Sequence, residues 1–191
     1  MKKALLFLLL GTFMNVQAQN KKCSIDYEIK NDSVDLIKLN DQLIFEKNFS
    51  EKTESILFSL VRNSQENVLQ FQWLEKSKEF TINRCFDPNS TIRIDLINAD
   101  FVELKLYDNE ICAQLVYDDV AKNNIRVLNT YFNIEPEDLQ KLTSSKMSLL
   151  TVNYATGKEY YNIKDVLISE NSKTETKPAF FFINEIPCLT K

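Results

Sequence analysis

Apolar and polar residues alternate with a period of two along most of this chain, and that period commits it to sheet. In an extended strand successive side chains face opposite ways, so alternation marks a strand with one covered face. Cys23 to Lys30 obeys the rule strictly and reads as a half-buried strand, with Cys23, Ile25, Tyr27 and Ile29 in one phase. Val34 to Leu39, Leu43 to Lys47, Ile56 to Arg62, Val68 to Glu75 and, more weakly, Phe80 to Cys85 read as further strands. The breaks between them carry turn chemistry, and Asn63 to Asn67 joins two runs as a hairpin.

Three runs in the middle, Thr91 to Ile97, Phe101 to Tyr107 and Ile111 to Tyr117, are separated only by short polar turns. Turns of that length join antiparallel neighbours, so the spacing predicts a meander. Ile125 to Asn133, Met147 to Tyr154, Glu159 to Ile168 and Ala179 to Ile183 follow, with Pro187 closing the last and Asn171 to Lys177 left as a mobile polar loop. One helix is predicted over 136–144. Pro136 suits a first helical position, Glu137 and Asp138 suit the positive end, and Leu139 with Leu142 forms an i, i+3 pair. The expected fold is all-β, an antiparallel sandwich or open barrel of about ten strands with that single short helix.

The ends refine the picture. Lys2 and Lys3, the apolar run Ala4 to Met14 and the small-residue stop Val16-Gln17-Ala18 predict a cleaved export leader at 1–18. Residues 19–191 then form one domain. Losing Lys2 and Lys3 lowers the basic count from 23 to 21 against 27 acids, about −6, which disfavours a phosphate-tracking surface and hence nucleic acid. Beyond the leader Gly157 is the only glycine, so asparagine is expected to carry the turns.

Four cysteines in an exported chain predict two disulfides. Cys85 is out of step with Phe80 and Ile82, and Cys112 with Ile111, Ala113, Leu115 and Tyr117. If those apolar sets face the core, Cys85 pairs with Cys112 and Cys23 with Cys188, although four cysteines admit three pairings.

The chain contains no histidine, which removes imidazole-dependent triads and the usual zinc and iron sites. A single glycine removes phosphate-cradling loops. No catalytic, cofactor-binding or metal residue can be named, and no cofactor is implied. Asp118 with Asp119, Glu135 with Asp138 and Asp95 with Glu103 read as solvated acids, Thr143 to Lys146 as a helix end, and Asp108 to Glu110 as a weak calcium candidate. Tyr160-Tyr161 and Phe180 to Phe182 read as packing on both faces of a strand, with Tyr160 or Tyr161 the alternative contact to a sugar or peptide. The chain resembles small exported proteins of bacteria with asparagine- and lysine-rich proteomes, a similarity of style that carries no activity. These features favour a non-catalytic interaction or structural domain of the bacterial envelope, with an inhibitor or immunity-like binder as one form and protein or glycan as partner. A carboxylate-dependent glycan hydrolase and an apolar-ligand carrier are the alternatives.

Overall fold

The computed structural model describes residues 23–64, 66–107 and 109–189, so the predicted leader lies outside the described residues. In chain order the strands are β1 (Ile25–Lys30), β2 (Asp35–Leu39), β3 (Gln42–Phe49), β4 (Lys52–Asn63), β5 (Glu66–Ser77), β6 (Cys85–Phe86), β7 (Thr91–Leu96) and β8 (Phe101–Lys105). They continue with β9 (Ile111–Cys112), β10 (Gln114–Asp118), β11 (Asn123–Ile134), β12 (Met147–Tyr154), β13 (Gly157–Asn162), β14 (Leu167–Ile168) and β15 (Glu175–Thr176). Helix α1 (Pro136–Ser144) falls on its predicted span, and α2 (Phe181–Leu189) ends the described chain.

The fold is all-β, with antiparallel sheets of which the larger curls into a half-barrel. That sheet runs β1-β2-β4-β5-β11-β10, and β3 extends the line of β2 along β4. The smaller sheet runs β13-β12-β7-β8. Alternation on β4 and β5 sends Ile56, Phe58, Leu60, Leu69, Phe71 and Trp73 into the space between the sheets, where each is fully buried. The smaller sheet answers with Ile92, Ile94, Val102, Leu104, Leu150 and Val152. Rings fill the centre: Phe86 lies 5.2 Å from Phe132 and 5.6 Å from Phe71, edge to face, and 4.9 Å from Tyr154, stacked.

Five expectations are corrected. The meander holds only for β7 and β8. After β8, Leu106 bridges to Phe132 and the Tyr107 N–H donates to the Tyr131 carbonyl, carrying the chain across to the large sheet. Ile111–Cys112 then pairs with β6 as a separate two-stranded ribbon, and Gln114–Asp118 pairs with β11 of the large sheet. The predicted strand at Ala179 to Ile183 is instead a 3₁₀ turn (Pro178–Phe180) followed by α2. Phe181, Phe182, Glu185, Ile186, Cys188 and Leu189 are its buried positions, a helical spacing that an apolar run too short to show its period had concealed. Phe58 packs on both Phe181 and Phe182. Phe80 to Arg84 is irregular, with strand only at Cys85–Phe86, and every residue of β1 is exposed rather than half-buried. The stretch 171–177 is no free loop: it closes the β14–β15 hairpin, tied to Glu46 through Ser169 and Asn171.

The turns also depart from expectation. Gly157 adopts a φ of +138°, but the non-glycine positive φ values fall on Ser64, Ala99, Lys122 and Lys173. Asparagine acts through its side chain instead. Asn31 Oδ1 accepts from the N–H groups of Ser33 and Val34, and Asn98 Oδ1 from that of Asp100.

Two disulfides join Cys23 to Cys188 and Cys85 to Cys112, with Cα separations of 5.6 and 4.0 Å. The first clips β1 to α2 across 165 residues of sequence; the second lies across the β6–β9 ladder. Two structural disulfides point to folding in an oxidising compartment. Among the described residues no helix is long and apolar enough to cross a membrane.

Candidate functional site

Two carboxylates stand where the strand phase calls for apolar residues. Glu54 precedes Ile56 and Phe58 on the inner face of β4, and Glu75 follows Phe71 and Trp73 on that of β5. At this end of the sandwich the smaller sheet contributes Glu159 and Tyr161 from β13, and the segment before β6 contributes Arg84. Burying ions is costly unless each finds a partner, and here Arg84 is the hub. Its Nε and Nη2 donate to the two oxygens of Glu159 at 3.0 and 2.9 Å, and its Nη1 donates to Glu75 Oε2 at 3.2 Å. Its guanidinium also lies 4.2 Å over the Trp73 ring and 3.6 Å from Glu54 Oε1. Glu54 Oε1 accepts from Trp73 Nε1 at 2.8 Å. Tyr161 Oη sits 2.6 Å from Glu159 and 3.2 Å from Glu54, which share its one proton. Burial, reinforced by neighbouring Tyr154 and Glu54, lifts the Tyr161 hydroxyl far above the ordinary tyrosine range, so it stays a neutral donor. Burial of the Arg84 guanidinium opposes its charge, but the Glu159 hydrogen bonds and charge outweigh that and raise its pKa.

Glu75 is the exception within this network. It is 1% exposed, and Lys52 and Arg84 both meet its Oε2, while its Oε1 is buried with no hydrogen-bond partner. The residue lines a pocket of about 210 Å³ with Lys52, Ser77, Glu79 and Arg84, and Phe80 and Ile82 form the mouth. Glu54 and Glu159 hold their donors, which leaves Glu75 Oε1 as the unpartnered carboxylate oxygen of the cluster.

Beyond the mouth lies an open apolar surface. Phe80 and Ile82 are 82% and 80% exposed. Their segment is pinned to the large sheet by Arg126, whose Nε donates to the Thr81 carbonyl at 3.0 Å, and by Asn124, whose Nδ2 reaches the Lys78 carbonyl at 3.4 Å. Arg126 and Asn124 are opposite Leu115 and Tyr117 in the β10–β11 register, so those exposed side chains share the same face. Among the described residues β10 pairs only with β11, and its outer backbone edge carries no strand of this set.

A second concavity occupies the opposite face of the large sheet. It has a volume of about 820 Å³, a floor of Leu43, Leu57 and Leu74, and a wall made by the β14–β15 hairpin. Two of its acids are engaged: Asp41 accepts from Lys38 and Gln72, and Glu46 from Ser169 Oγ at 2.8 Å and the Glu170 N–H at 2.7 Å.

The acids singled out from sequence do not come together. Asp118 caps the N–H groups of Val120 and Ala121, which hold its carboxyl below the usual range. Asp95 accepts from Arg93, while Glu103 pairs across from Arg93 on the outer face of the smaller sheet. Glu135 accepts from Asn133, and burial raises the pKa of Asp138 on α1. Lys146 is neutralised by Asp165, and the Thr143 and Ser144 hydroxyls donate to helix carbonyls. Asp108 lies outside the described residues. Among the described residues no group of three or more potential ligands could hold a metal. The Glu54–Glu75–Arg84–Glu159 cluster was missed, although two acids in a core phase were its legible signal. Compared with protein-family models, curated proteins and solved structures, the chain matches none.

Proposed function

We propose that this chain is an exported, non-catalytic interaction domain that binds a protein across β10 and the Phe80–Ile82 segment. The observation that carries the reading is Phe80 and Ile82, held four-fifths exposed beside an open strand edge that also presents half-exposed Leu115 and Tyr117. An apolar patch rimmed by polar groups is the usual form of a protein contact, and an open edge accepts an added strand. The leader at 1–18 and the two disulfides support delivery to the periplasm or the exterior. The side chains packed between the sheets weaken the carrier alternative, and the paired carboxylates weaken the hydrolase alternative.

The test compares residues 19–191 with a Phe80→Ser/Ile82→Ser double variant, each immobilised and exposed to crosslinked envelope extract from the source cell. The wild-type domain is expected to retain a defined protein partner that the variant loses. Equal recovery on both would sink the reading.

A further inference from the structure

We infer that the Glu75 pocket is the anchor of this contact surface and receives a basic side chain, lysine or arginine, from the docking protein. The inference rests on the reading of Phe80, Ile82 and β10 as a protein interface and names what enters at its centre. Two independent deficits coincide there. The first is a hydrogen bond: Glu75 Oε1 is buried and lacks a donor. The second is charge. Among the described residues Glu54, Glu75 and Glu159 form ion pairs with Arg84 and Lys52 alone, which leaves one negative charge over within the cluster. Glu79 adds another at the mouth.

A group that meets both deficits must donate an N–H and carry a positive charge. An ammonium or a guanidinium does so; a hydroxyl or an amide meets only the first. The space of about 210 Å³ is smaller than that of most small-molecule sites, and it suits one inserted side chain. Phe80 and Ile82 at the mouth would lie along the aliphatic stem of such a residue, as long basic side chains lie along apolar surface. Apolar contact surrounding a desolvated charge pair is the arrangement from which interface hot spots are built.

Methylguanidinium chloride serves as the probe, with methylurea as its uncharged counterpart and sodium chloride as the ionic-strength control. Titration into residues 19–191, followed by NMR, is expected to shift the Glu75 side-chain carboxyl carbon and the amides of 75–84 saturably with methylguanidinium alone. Glu75→Gln is expected to weaken that binding by about tenfold or more. If Glu75→Gln does not fold, the wild-type carboxyl-carbon titration still decides the matter. Shifts of equal size with methylurea, or no saturable shift, overturn the inference while protein capture through Phe80 and Ile82 can persist. Loss of capture as the interface reading fails, with the ion still bound, overturns the protein occupant instead. Displacement of the captured partner by methylguanidinium supports both.

Discussion

β5 and β10 belong to one sheet and carry apolar side chains of the same kind, yet they meet opposite fates. Leu69, Phe71 and Trp73 of β5 are fully buried, whereas Leu115 and Tyr117 of β10 are about half exposed. The large sheet is six strand positions wide and the smaller only four, so the second layer ends before it covers both margins. With strands about 4.8 Å apart, two uncovered positions amount to roughly a nanometre of sheet. β1, the other margin, is exposed along its whole length for the same reason. Alternation tells which side chains share a face; the width of the facing layer decides whether water reaches them.

The sharpest way to test this contrast is to cut what holds a margin in place. β1 buries little, and its fixed tie to the body is Cys23–Cys188, whereas Cys85–Cys112 spans a separation of only 27 residues. In the chain-entropy account, replacing both Cys23 and Cys188 by Ser costs about 5 kcal/mol and the same change at Cys85 and Cys112 about 3.5 kcal/mol. Urea unfolding of the two variants checks the order; equal losses would mean that β1 is secured by something other than its covalent tie. Next in size, Phe71→Ala removes a ring that packs on Phe58, Phe86 and Phe132 and is expected to cost about 3–5 kcal/mol. Tyr117→Ala on the uncovered margin should cost well under half as much. Comparable midpoint shifts would remove the distinction between the two strands.

Much of the fold was legible because period and turn chemistry act locally. β12 and α1 fall on their expected residues, and β4 with β5 only lengthen theirs. What was not legible depends on contacts distant in sequence. Nothing within Ile111 to Tyr117 says that the chain leaves one sheet for the other, because the Leu106–Phe132 bridge that takes it there joins distant segments. The disulfide pairing is the one expected, but its premise fails in both segments: Phe80 and Ile82 point to water, and Leu115 and Tyr117 are exposed too. The site was the least legible part. Glu54 and Glu75 hold the phase of core residues, but the partners that make them a cluster, Arg84, Glu159 and Tyr161, come from segments distant in sequence.

Smaller effects separate the hairpin wall from the body. Burial by itself raises the pKa of Glu46, but donors from Ser169, Glu170, Asn171 and Asn48 more than offset it, so the folded value lies below the ordinary 4.5. A depressed carboxylate contributes its stability above the unfolded pKa and loses it as pH falls through the folded one. Amide protection of the β14–β15 hairpin is therefore expected to hold at neutral pH and to fall below about pH 4.5, ahead of that of β4 and β5. Glu46→Gln should weaken the hairpin at pH 7 and flatten that dependence; an unchanged pH profile would show that Glu46 is not the tie.

The smallest expected effect on stability is the most informative about function. Phe80→Ser with Ile82→Ser removes two apolar side chains that are already about four-fifths in water. Folding transfers little of their surface, so the change should be within about 0.5 kcal/mol, as for other surface positions away from specific contacts. A natural sequence that gains so little folding energy from two large apolar residues needs another reason for them at the mouth of a pocket. An unfolding midpoint that stays put while partner capture disappears would assign them to binding. A midpoint that falls as far as that of Phe71→Ala would instead mean that the segment is covered in the folded protein, and the contrast between β5 and the β10 margin would have been drawn in the wrong place.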